Sequence, residues 1–203
     1  MKGADRKRIA RALTDAAPEF RSVRDRMVAA TPIGSVLRGF CLEDSSDPYR
    51  VYVWAFVQPL CVPSQTVVLS LGKRLGGGSR TWTVADVEGA ASAILDAGVE
   101  YFGSISSLAA LARWKVLDAR TDEYAREARA FSLLGSGQYN EGLRALRAFA
   151  ASLPADGPSW MVETKARAEE LARTAATDGG GAQKRLRDWE FECREALRIS
   201  DVP

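Results

Sequence analysis

The chain has 203 residues, 46% of them hydrophobic and 27% charged, which suits one or two globular domains and excludes wholesale disorder. Its net charge is +2, so it is no polycation, and it contains no histidine. The missing imidazole excludes Ser-His-Asp and Cys-His nucleophile systems, HExxH zinc sites and any histidine pH switch.

The first element expected is a short amphipathic helix over residues 4–16, with Ile9, Ala10, Leu13 and Ala16 at helical spacing. Its other face carries Arg6, Lys7, Arg8 and Arg11. A basic helix of this kind can follow nucleic-acid phosphates or an acidic protein surface, or be a solvated face. Nothing behind the basic start resembles the apolar core of a secretory signal. Pro18 fits the first turn of a second helix, expected to run to about Ala30 and to end at Thr31-Pro32-Ile33-Gly34.

The character then turns β-like. Residues 35–42 are a short strand candidate, and Arg50 to Val57 is the strongest strand in the chain, β-branched and aromatic on both faces. Gln65 to Leu71 reads as a third strand. Three strands with short connections predict a small antiparallel meander. Between the first two lie Glu43, Asp44 and Asp47, which lack the spacing and turn glycine of a calcium loop. After the third come Lys73 and Arg74, followed by the flexible stretch Gly76-Gly77-Gly78-Ser79. Cations beside glycines can hold an anion, but here the lysine precedes the glycines, the reverse of a phosphate loop.

Everything after Thr83 reads helical. Thr83 is the expected N-cap of a helix ending near Gly98. Further helices are expected over 106–117, 121–134, 140–152, 159–177 and 182–199, the last two separated by Asp178-Gly179-Gly180-Gly181. The predicted fold is α+β: a three-stranded antiparallel sheet flanked by helices in residues 1–120, with an all-helical part over 121–203. Charge is uneven along this plan. Residues 1–40 carry nine Lys/Arg against four Asp/Glu, and residues 82–123 carry three against seven, so the two blocks either pair internally or form two partner surfaces.

Cys41, Cys61 and Cys193 are odd in number and widely spaced, which fits core filling in a reducing, cytoplasmic setting. No catalytic, cofactor or metal motif is present, and no apolar run is long enough to span a membrane. Aromatic residues on the outlying helices, namely Tyr139, Trp160 and Trp189, are the candidate anchors for a protein partner.

One stretch resembles a known family. Gly137-Gln138-Tyr139-Asn140-Glu141-Gly142-Leu143, followed by Leu146, Phe149 and Pro154, is similar to the second half of a tetratricopeptide repeat. The first half departs, with Arg126, Arg129 and Ala130 at positions where the family has large apolar residues and a glycine. The resemblance implies a single helical hairpin over about residues 123–155, in which Gly142 permits close helix packing. More loosely, Tyr52 to Leu60, with Pro63-Ser64 and Leu71-Gly72-Lys73-Arg74-Leu75, is similar to stretches of small bacterial proteins of unknown function, some of them linked to toxin neutralisation or phage defence. The absence of catalytic motifs and of histidine, together with the hairpin resemblance, points to a non-enzymatic protein-binding module, such as an immunity or defence accessory. The alternatives are a nucleic-acid-associated protein using the basic helix, and an enzyme taking a phosphorylated substrate near Gly72–Ser79.

Overall fold

A computed structural model describes residues 2–24, 26–47, 49–76, 81–83, 85–199 and 202. The chain is α+β and forms two compact units. The first comprises residues 1–58, 67–105 and 198–203, and the second residues 59–66 and 106–197.

In the first unit α1 (Lys2–Ala16) leads into an antiparallel sheet of β1 (Phe20–Arg24), β2 (Met27–Ala30), β3 (Val36–Asp44), β4 (Arg50–Pro59), β5 (Gly72–Leu75) and β6 (Trp82–Thr83). The strand order is β1-β2-β3-β4-β5, and β6 pairs with β4 beside β5. Among the described residues the sheet therefore has six strands, not three. The second expected helix is in fact the β1–β2 hairpin. Phe20-Arg21-Ser22-Val23-Arg24 is largely polar and mostly exposed after Phe20, as an edge strand requires, while Met27 to Ala30 are all buried. The strand expected over Gln65–Leu71 is also displaced. The Gln58 side chain takes the Val68 N–H and the Ser64 hydroxyl bonds Thr66, so the segment turns, passes a single 3-10 turn at Leu69–Leu71, and pairs only from Gly72.

Helices α1 and α2 (Val87–Phe102) cover one face of this sheet. Their core holds the Phe20, Phe40 and Phe102 rings, with Phe40 centred 5.3 Å from each of the other two. Gly98 allows this packing, since a Cβ there would lie 2.2 Å from the Phe40 ring. The α2 N-cap is Asp86, whose carboxylate accepts the Gly89 N–H at 2.9 Å, and not Thr83, which is in β6. Arg38 donates to the Ile105 carbonyl at 2.9 Å just beyond the helix, and burial lowers its guanidinium pKa.

The second unit holds α3 (Leu108–Ala112), α4 (Lys115–Asp118), α5 (Glu123–Gly135), α6 (Tyr139–Ser152), α7 (Ser159–Thr177) and α8 (Gly179–Leu197). The single helix expected over 106–117 is split at Arg113–Trp114. Gly179 to Gly181, expected to be a breaker, instead form the first turn of α8, where Asp178 accepts the Gly181 N–H. Only Asp178 interrupts the two long helices. α5 is central and buried on most sides. Gly142 of α6 approaches it closely, and a Cβ there would sit 2.6 Å from the Leu134 nitrogen. Phe131 of α5 meets Trp189 of α8 at 5.9 Å, and the Gln183 side chain donates to the Leu134 carbonyl. The α8 helix thus packs on α5 as well as α7. Segment 59–66 joins this core through Leu60 and Cys61, both buried, and through Ser64, whose N–H donates to the Cys193 sulfur.

Candidate partner-binding surfaces

Asp122 caps α5 by accepting the Ala125 N–H and is itself held by Arg120 at 2.7 Å. Burial opposes its ionisation, but these bonds outweigh it and bring the carboxyl below its ordinary range. The cap fixes the first turn of α5, which carries Tyr124. The first turn of α7 carries Trp160, two residues after Pro158. The α5 and α7 helices alternate in direction with α6 between them, so their N-terminal turns come to the same end. There the Tyr124 and Trp160 rings stack, 5.8 Å between centroids and 8° from parallel. Both remain in contact with solvent, at 37% and 40% exposure.

An ion pair joins the same two helices, one turn beyond Tyr124 on α5 and two turns beyond Trp160 on α7. Arg167 donates to Glu127 at 3.0 Å and to the Thr164 hydroxyl at 3.2 Å. Glu127 is buried, and burial raises its carboxyl pKa against the pull of Arg167. The Arg167 Nε is also buried and has no partner among the described residues.

The other expected anchors do not join this surface. Trp189 is 4% exposed, packed on Phe131 and covered by the Arg185 guanidinium, so it belongs to the core. Tyr139 is solvent-exposed but opens α6, at the opposite end of the helices from Trp160. Its ring lies on Gly179. Tyr124 was not expected from sequence. Its position in the turn after a capping Asp, on a helix parallel to the one that begins at Trp160, was the available signal.

The basic helix divides its cations. Arg6 turns inward to Asp44 at 2.9 Å and is largely buried. Arg8 pairs with Asp5 at 3.6 Å, and Arg11 with Asp15 at 3.5 Å in full contact with water. Lys7 and Arg11 also face β1 across a groove of about 440 Å³, shared with Ala10, Thr14, Ser22, Val23 and Arg24.

Lys73 and Arg74 lie on β5. The Arg74 guanidinium sits 3.6 Å above the Tyr52 ring, and neighbouring Trp54 donates its indole N–H to Glu43 at 2.8 Å. Lys73 is exposed. Residues 77–79 of the adjoining glycine-rich stretch lie outside the described residues. Of the acidic turn, Glu43 and Asp44 are used by Trp54 and Arg6, and Asp47 holds Arg50 at 3.2 Å. Among the described residues no group of three or more carboxylates and thiols could hold a metal, and no helix is long and apolar enough to cross a membrane. Burial pushes the Cys41 and Cys193 thiols up to about 11 and that of Cys61 higher still.

No family model, curated protein or solved structure matches the chain.

Proposed function

We propose that the protein is a non-enzymatic protein-binding module whose contact surface is centred on the stacked Tyr124–Trp160 pair. The observation that supports it is this pair: two large rings, stacked nearly parallel on the first turns of α5 and α7 and left in contact with water. Rigid aromatic side chains bury much area on binding while losing little conformational freedom, which is why they anchor interfaces. The tetratricopeptide-like hairpin of residues 123–155 supplies half of the frame, and the immunity or defence accessory role is one instance of the reading.

The test compares the wild-type chain with Trp160→Ala and Tyr124→Ala as tagged baits in cells of the native host. A protein recovered in stoichiometric amount by the wild type and lost with both variants, while their circular dichroism stays unchanged, supports the reading. A partner retained by both variants refutes this placement of the surface.

A further inference from the structure

We infer that the open edge of β1, together with the cationic groove between β1 and α1, is a docking site for an extended acidic segment of another protein, which would add to the sheet as a strand.

The edge follows from the hydrogen-bond register. β1 pairs with β2 as Phe20↔Ala30, Arg21↔Ala29 and Ser22↔Val28, and the Thr31 N–H donates to the Glu19 carbonyl at 2.6 Å. Residue pairs in an antiparallel ladder alternate between bonded and non-bonded. Glu19 and Arg21 therefore face β2, and Phe20 and Ser22 present their main-chain groups outward. The Phe20 N–H confirms that direction by donating away from β2, to the Ala17 carbonyl at 3.0 Å. Ser22 is exposed, and among the described residues its outward N–H and C=O have no partner. An exposed strand edge of this kind is a template for a further strand.

The groove above the edge gives the occupant its charge. Its lining contains Lys7, Arg11 and Arg24 and the hydroxyls of Thr14 and Ser22, while Asp15, the partner of Arg11, lines the adjoining groove beside Phe20. Lys7 has no ion-pair partner among the described residues, and the Arg11–Asp15 pair is so exposed that exchanging it for another carboxylate costs little. The spacing also fits. Lys7 and Arg11 are four residues apart on a helix, about 6 Å, which is close to the roughly 6.6 Å between alternate residues of a strand. Acidic residues at alternate positions of an added strand would meet both cations on one face.

The same features select among occupants. No aromatic side chain lines the groove, so nucleic-acid bases would find no stacking platform. A second copy of β1 would bring Arg21 and Arg24 against their own like, which disfavours edge-to-edge pairing.

The test is a titration of the full chain, labelled with nitrogen-15, at low ionic strength. The probe is an end-capped octapeptide of alternating threonine and glutamate. Saturable shifts at Ser22 and its neighbours are expected, with a Kd of about 1 mM or tighter. The Lys7→Glu/Arg11→Glu variant should weaken binding at least about tenfold. N-methylation of alternate peptide residues, which removes main-chain donors without touching the protein, should weaken it at least as much. Ser22→Pro should have the same effect, since an edge strand tolerates proline where the N–H faces outward. Trp160→Ala should leave the titration unchanged, which separates this site from the aromatic one. The inference is overturned if the N-methylated peptide binds equally well, if an oligouridylate competes more tightly for the same residues, or if no shift at β1 saturates.

Discussion

Removing Arg167 should destabilise the helical unit in a pH-dependent way. Arg167→Met leaves the Glu127 carboxylate in its buried position with its cation gone. Breaking a buried pair from one side costs about 3–5 kcal/mol, and the 24% exposure of the Arg167 side chain argues for the lower end, about 3 kcal/mol at pH 7.5. The sign with pH follows from the direction of the Glu127 shift. Burial raises this carboxyl in the folded state, so the fold holds a proton that the unfolded chain releases, and stability falls as pH rises through the folded value. Without Arg167 the folded value rises further. The deficit of the variant should therefore be small at acid pH and grow by up to about 1.4 kcal/mol for each pH unit across that window. Glu127→Gln should behave oppositely, staying within about 1 kcal/mol of wild type at pH 7.5 because the amide oxygen still accepts from Arg167 and no carboxylate is buried. The assay is urea unfolding by circular dichroism at pH 5 and pH 7.5, with amide exchange along α5 to locate the change. A deficit of equal size at both pH values would refute the reasoning, because it would mean that Glu127 is solvated well enough to stay ionised.

Three further outcomes are expected. Gly142→Ala adds a Cβ 2.6 and 2.8 Å from backbone atoms of Leu134, which cannot rotate away, so an overpacking cost of about 1–3 kcal/mol should exceed the roughly 1 kcal/mol gained in helix propensity and lower the calorimetric Tm. Trp189→Ala should cost about 3–5 kcal/mol as a core truncation, while Trp160→Ala at the surface should cost under about 1 kcal/mol in the same melts. At pH 8, Cys41 in the folded chain should alkylate roughly a hundredfold more slowly than an exposed thiol, by burial first and the Glu43 charge second, and Glu43→Gln should raise the rate measured by mass spectrometry.

The helices were largely legible because their apolar residues repeat at helical spacing over three or more turns, as Leu186, Trp189, Cys193 and Leu197 do in α8. The N-terminal hairpin was not. Phe20 to Ala30 is short, and strand alternation over five residues is overridden in a sequence reading by a nearby proline and several helix-compatible residues. What decides it is tertiary: Val28 pairs with Phe40, and Phe20 fills the space between Phe40 and Phe102. The Gln65–Leu71 error has the opposite cause. Its residues favour strands, but side-chain bonds from Gln58 and Ser64 satisfy the backbone locally. Of the candidate anchors, sequence separated apolar from polar positions but not core from surface on one helix. Trp160 and Trp189 look alike in composition, and only the position of α8 against Phe131 buries the second.

The uneven charge along the chain finds its explanation in where pairing stops. Among the described residues no ion pair joins residues 1–40 to residues 82–123, although Arg8 and Arg11 share a groove with Glu88 and Asp96. Arg8 and Arg11 find Asp5 and Asp15 on their own helix, and Arg6 finds Asp44 on β3. In the acidic block Asp86 caps α2, Asp118 pairs with Arg129, and Asp122 pairs with Arg120. None of these pairs draws on the other block, so residues 1–40 keep their positive excess. Lys7 and Arg21 lie on or beside β1, the one edge strand that precedes the long hairpin of β3 and β4. A bare edge needs some device against pairing with its own kind, and like charge supplies one. The same charge cannot repel an acidic strand. A device that protects the edge from self-association is therefore, by its sign alone, a filter for what the edge will accept, and reversing that sign at Lys7 and Arg11 should reverse the preference.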